Sequence, residues 1–117
     1  MRLADYIVEY LAEHGLNTAY AVTGRGALFI NDALAKTKQI RTIFPHHEQS
    51  AAFSACAAAD LTNNLQAVFV STGCASTNTL TGVLSAWQDS LPVIFISGQN
   101  ILYETTHYTG QKIRTYG

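Results

Sequence analysis

Two stretches of this chain are apolar without interruption: Ala67-Val68-Phe69-Val70 and Val93-Ile94-Phe95-Ile96. A strand with one face in water alternates apolar and polar residues. A run without alternation suits a strand covered on both faces, as in a parallel sheet. Two further apolar runs precede them, Ala19 to Val22 and Ile40 to Phe44. Segments with helical character separate the four. From Leu3 to His14, Leu3, Ile7 and Leu11 recur at helical spacing, and Gly15 follows as a C-terminal cap. Ala27 to Lys36 reads as a helix, with Lys36 and Lys38 suited to the negative end of its dipole. A long Ala-rich helix is expected from Glu48 to about Asn63, with Asn63-Asn64 as its stop. Thr77 to Asp89 reads as one more helix, with Leu80, Val83, Leu84 and Trp87 on one side, and Pro92 breaks it. Trp87 and the phenylalanines are read as core. From Gln99 the pattern fades into a polar, Thr- and Tyr-rich tail.

Strands alternating with helices on short connections imply an α/β fold, a parallel sheet with helices on both faces and right-handed crossovers. The 117 residues suit one domain. In such sheets ligands bind beyond the carboxyl ends of the strands. The loops leaving those ends are Thr23-Gly26, Pro45-Gln49, Ser71-Ser76 and Gly98-Asn100. If strand order brings them together, they form one site containing Glu48.

Only 13% of the residues are charged, so a lone carboxylate at a strand-to-helix junction calls for an explanation. Glu48 either meets the positive end of a helix dipole or serves as a buried carboxylate in proton transfer. Neighbouring Ala51, Ala52 and Phe53 favour burial. Metal ligation by His46, His47 and Glu48 is the weaker reading, because adjacent turn residues rarely point at one ion. Thr23-Gly24-Arg25-Gly26 has the context of a phosphate loop but lacks the dinucleotide and P-loop patterns. Cys56 sits in an Ala run and reads as core, whereas Cys74 stands at a helix start with no base marked beside it. Both read as free thiols of a reducing, cytoplasmic compartment. Net charge is −1 and no basic run exists, which argues against nucleic acid and anionic membrane as partners. No apolar run approaches the roughly 20 residues of a membrane span, and the N-terminus lacks the apolar core of a signal peptide.

Several motifs occur in order: Thr23-Gly24, His47-Glu48-Gln49-Ser50-Ala51-Ala52, Ser71-Thr72-Gly73 followed by Ser76-Thr77-Asn78, Asp89-Ser90-Leu91-Pro92-Val93, and Ser97-Gly98-Gln99. The set resembles the N-terminal, pyrimidine-binding domain of thiamine-diphosphate-dependent enzymes of the acetolactate synthase type. The likeness runs over essentially the whole chain. It implies the three-layer thiamine-diphosphate-binding fold over residues 1–117. It implies that Glu48 hydrogen-bonds the N1′ atom of the cofactor's aminopyrimidine and so promotes attack on a 2-oxo acid. It places Ser71 and Asn78 near the pyrimidine, and Thr23 and Gly24 near the cofactor's middle. It also implies Mg²⁺ held by a diphosphate-binding domain absent from this chain and supplied by a partner subunit of a homo-oligomer.

The chain departs from the family pattern at Thr23, where Pro is usual, at Gly73-Cys74-Ala75 in place of Gly-Pro-Gly, and at Ala58-Ala59 in place of Gly-Tyr. The Thr-Gly form followed by Asn31-Asp32-Ala33-Leu34 resembles a subgroup associated with surface-polysaccharide or sugar-nucleotide metabolism. By itself the chain is expected to be catalytically inactive. The alternative is a non-catalytic α/β module for nucleotide binding or subunit interaction.

Overall fold

A computed structural model describes residues 1–110. Helix α1 is Leu3–Glu13, strand β1 is Thr18–Ala21, and a 3-10 turn at Arg25–Ala27 leads into helix α2, Leu28–Lys36. Strand β2 is Arg41–Ile43, helix α3 is Glu48–Thr62, and strand β3 is Gln66–Val70. Helices α4, Cys74–Thr77, and α5, Leu80–Gln88, precede strand β4, Val93–Ser97. A 3-10 turn at Leu102–Glu104 and helix α6, Thr106–Thr109, follow.

The four strands form one sheet in the order β2-β1-β3-β4, and every pairing is parallel. This topology explains the uninterrupted run of β3, whereas β4, expected to be covered on both faces, lies at the sheet edge and is only half-buried. All five residues of β3 are buried. Ala67 and Phe69 point into one core with Val8 and Leu11 of α1 and Ala33 and Leu34 of α2. Val68 and Val70 point into a second core with Tyr20 of β1 and Ala51 and Ala55 of α3. Helices α1 and α2 therefore cover one face, and α3 covers the other.

Helix ends follow from local chemistry. Gly15 takes φ +95° just past α1, and Asn63 takes φ +52° at the end of α3, both in the left-handed region that halts a helix. The helix expected over Thr77–Asp89 is instead two pieces that break at Asn78-Thr79. Thr77 Oγ1 donates to the Cys74 carbonyl at 3.0 Å and Thr79 Oγ1 to the Ser76 carbonyl at 2.6 Å. Hydroxyls that bond nearby carbonyls compete with the helix ladder.

The expectation of a core role for Trp87 and the phenylalanines fails for most of them. Phe69 is buried, but Trp87 is 83% exposed, and Phe29, Phe44 and Phe53 are exposed as well. The buried face of α5 is made of small residues: Gly82 and Ala86 are what α5 buries, and its larger apolar residues face outward.

Close approach of α5 to α3 requires Gly82. A Cβ there would collide with the Ala52 Cβ, and Cys56 Sγ lies 3.5 Å from the Gly82 carbonyl. Burial raises the Cys56 thiol pKa. Gly82→Ala gains up to about 1 kcal/mol in helix propensity and loses about 1–3 kcal/mol to overpacking. Chemical denaturation should show net destabilisation.

On the opposite face, Arg2 joins α1 to α2, with its guanidinium 2.6 Å from Asp5 and 2.7 Å from Asp32. Asp32 also meets Lys36 at 2.8 Å. The hydrogen bond from Arg2 lowers the Asp5 pKa from 3.8 to about 2. Asp32 is lowered by Lys36 and then by Arg2. Depressed carboxyls contribute stability above their unfolded pKa and lose it as pH falls through the folded one. Denaturation monitored by circular dichroism should show stability declining from pH 3.8 toward about 2, and Arg2→Gln should flatten that decline.

Candidate functional site

Strand order brings the four carboxyl-end loops together. The chain leaves β1 toward one edge and β3 toward the other, so the order reverses between these two strands. Such a reversal opens a crevice at their carboxyl ends. Here the crevice is closed by backbone contact. A Cβ on Gly24 would collide with Ser71 Oγ, and one on Gly98 would collide with the Gly26 carbonyl. The Gly26 N–H donates to Ser71 Oγ at 3.3 Å. The glycines of the first loop are thus explained by tight passage of one loop over another.

A serine clasp holds this edge. Ser76 Oγ donates to the Ser71 carbonyl at 2.9 Å, and Ser97 Oγ lies 3.0 Å from the same carbonyl. The two hydroxyls also contact each other. Gly98 N–H donates to the Val70 carbonyl at 2.9 Å. The ends of β3 and β4 and the start of α4 are tied at one carbonyl. Arg25 adds a tie from the first loop to Glu104, at 3.0 Å.

Glu48 is the first residue of α3. His47 caps that helix, with Nδ1 accepting from the Gln49 N–H at 3.1 Å. This occupies His47 in a structural role, in place of the weaker metal-ligand reading. No group of three or more metal-ligating side chains occurs among the described residues. Glu48 is half-buried, short of the burial expected from its context, although Ala51 and Ala52 one turn on are fully buried. Its Oε2 accepts from Asn78 Nδ2 at 2.9 Å. The break between α4 and α5 falls at Asn78 and frees its side chain to reach across to α3.

Two of the residues singled out by sequence, Glu48 and Asn78, are therefore in direct contact, and two others, Gly24 and Ser71, pack on each other. Thr23 joins neither pair by a side-chain hydrogen bond. It lines a cleft of about 400 Å³ between the first two loops, with Val22, Phe44, Pro45 and His46. Sequence reasoning assigned no role to Ser76, Ser97 or the His47 cap. The only hint was the run of small residues at the ends of β3 and β4.

The family model for thiamine pyrophosphate enzymes, N-terminal TPP binding domain, matches residues 1–116. The chain belongs to this family. The resemblance read from the order of the motifs is borne out, and so is the parallel α/β fold it implied. The acetolactate synthase large subunit of Haemophilus influenzae is 35% identical over 96 residues, covering 82% of this chain and 17% of that protein. Acetolactate synthase isozyme 1 large subunit of Escherichia coli K12 is 32% identical over 114 residues, covering 97% of this chain and 20% of that protein. The chloroplastic acetolactate synthase of Arabidopsis thaliana is 33% identical over 96 residues, 82% of this chain and 14% of that protein. The chain thus spans a fifth or less of the length of these relatives. It is a thiamine pyrophosphate enzyme N-terminal domain of acetolactate synthase-like type, and membership implies use of thiamine diphosphate. No helix among the described residues is long and apolar enough to cross a membrane.

The serine clasp has a measurable consequence. Ser76→Ala and Ser97→Ala should each cost about 0.5–1.5 kcal/mol. Because either hydroxyl alone still serves the Ser71 carbonyl and loss of both leaves it bare, the double variant should lose more than the sum of the singles. A denaturant double-mutant cycle checks this.

Proposed function

We propose that this domain is the pyrimidine-binding part of a thiamine-diphosphate-dependent 2-oxo-acid decarboxylase or carboligase, with Glu48 as its proton-handling carboxylate. One observation carries the reading. Asn78 holds Glu48 Oε2, while Oε1 accepts no hydrogen bond among the described residues. A carboxylate fixed by one oxygen and open at the other fits a single ring nitrogen of an aminopyrimidine. When bound, thiamine diphosphate supplies the electron sink for bond cleavage and formation at the 2-oxo carbon.

The roles of this chain's residues follow. Glu48 shares or moves a proton at the ring nitrogen, and its place on the first turn of a capped helix fixes its position. Asn78 sets the plane of the carboxylate. Ser71 and Gly24 hold the first and third loops in contact, and Thr23 lines a cleft between the first two loops that would take part of the cofactor. We assign Mg²⁺ and the diphosphate to a diphosphate-binding domain of a partner subunit in a cytoplasmic homo-oligomer. On this reading residues 1–117 are one domain of a longer enzyme and do not turn over substrate alone.

The test is Glu48→Gln in an enzyme of full length. The amide keeps the shape and removes the acid-base function, so turnover of 2-oxo acids should fall by about 100-fold or more. Unchanged turnover refutes the assignment. Calorimetry on the isolated domain should find thiamine diphosphate binding weaker than about 1 mM.

A further inference from the structure

We propose that Arg25 is a specificity-determining residue: its guanidinium takes an anionic group that the substrate keeps through the reaction, and Glu104 occupies it until substrate arrives. The inference rests on the reading of this domain as part of a 2-oxo-acid enzyme and names the substrate class. Arg25 follows Gly24 in the loop that leaves β1 at the carboxyl edge. It is the one lysine or arginine in the loops of that edge, residues 23–26, 45–49, 71–76 and 98–100. Gly24 packs on Ser71, at the outlet of β3. The same outlet leads to Asn78, which holds Glu48. The cation and the carboxylate therefore stand on one edge. The Arg25 side chain is 60% exposed and so is open to a ligand from solvent.

The resident anion is poorly accommodated. Arg25 Nη2 donates to Glu104 Oε1 at 3.0 Å, and the Glu104 side chain is only 22% exposed. Glu104 Oε2 is buried and accepts no hydrogen bond among the described residues, and Asn100 Nδ2, in the same segment, is buried and donates none. Buried polar groups without partners are costly. The segment that carries them runs against the first loop. A Cβ on Gly26 would lie 3.5 Å from the Gln99 carbonyl carbon, and one on Gly98 would collide with the Gly26 carbonyl. A ligand carboxylate that displaces Glu104 meets the guanidinium, which recognises carboxylates through paired N–H donors. It brings an acceptor to the segment of Asn100 and returns Glu104 to water. The group bound is not the carboxylate lost as carbon dioxide. A cation there would stabilise a charge that bond cleavage removes, favouring the ground state over the transition state. The ligand is therefore a second carboxylate remote from the 2-oxo group, carried by a 2-oxo diacid or by an acidic acceptor.

Calorimetry of the full-length enzyme with glutarate reads the site without turnover, because glutarate has no ketone. Arg25→Gln should weaken glutarate binding by at least about tenfold, and Arg25→Lys should recover part of the loss. Glu104→Gln removes the resident anion and should strengthen binding several-fold. A tie that merely held the two segments together would move both variants in the same direction, so shifts of the same sign overturn the proposal. So does a wild-type enzyme that binds glutarate no better than uncharged glutaramide, a comparison that needs no variant to fold. Donor preference then locates the group. A kcat/KM for 2-oxoglutarate at least about tenfold above that for 2-oxopentanoate, lost in Arg25→Gln, puts it on the donor. Glutarate binding without that preference puts it on the acceptor. The outcome at Glu48 is separate: turnover unchanged by Glu48→Gln refutes the reaction, whereas the opposed shifts at Arg25 and Glu104 are read in binding alone.

Discussion

Strand β3 has no side open to water, and the rest of the domain is arranged around that fact. Its residues are between 0% and 3% exposed. Backbone groups so deeply buried must be paired, and β3 pairs on both edges, with β1 and β4. Its side chains must be covered on both faces, which requires α1 and α2 on one side and α3 on the other. The chain meets these demands by helical crossovers between parallel strands. The reversal of strand order between β1 and β3 follows, and with it a crevice at the carboxyl edge. The location of the candidate site is a result of burying β3, before any functional residue is considered.

The carboxyl edge is then assembled from side chains that serve the backbone first. One carbonyl, that of Ser71, collects two hydroxyls, and one histidine caps α3. Glycines at 24, 26 and 98 let the loops pass at contact distance. Glu48 and Asn78 instead bond each other across the edge, from α3 to the break between α4 and α5. That division explains how a sparsely charged domain holds a carboxylate in a defined orientation. The ties at the Ser71 carbonyl are neutral hydrogen bonds, and the ion pair between Arg25 and Glu104 brings opposite charges together.

Strand β3 was legible in the sequence because burial on both faces leaves an uninterrupted apolar run, and β4 keeps such a run although it is half-buried at the edge. The parallel architecture followed from their alternation with helices. Glu48 was legible as a residue in need of explanation because charge is scarce around it. Its contact with Asn78 bridges 30 positions, and no local pattern encodes such a pairing. The break at Asn78-Thr79 was missed because the apolar spacing continues, while the hydroxyls that end the ladder act through the backbone. Trp87 was misread for a different reason. Helical spacing identifies an apolar face, but it says nothing of whether that face meets this sheet or another surface.

The contact between Gly26 and Gly98 reaches beyond packing. It places the carbonyl of one loop against the Cα of another, with no side chain between them to yield. Arg25 and Glu104 add a second connection between the same two segments. The steric contact resists closer approach of the two segments, and the ion pair resists their separation. The outlets of β1 and β4, distant in sequence, are thereby held at a set spacing at the mouth of the crevice.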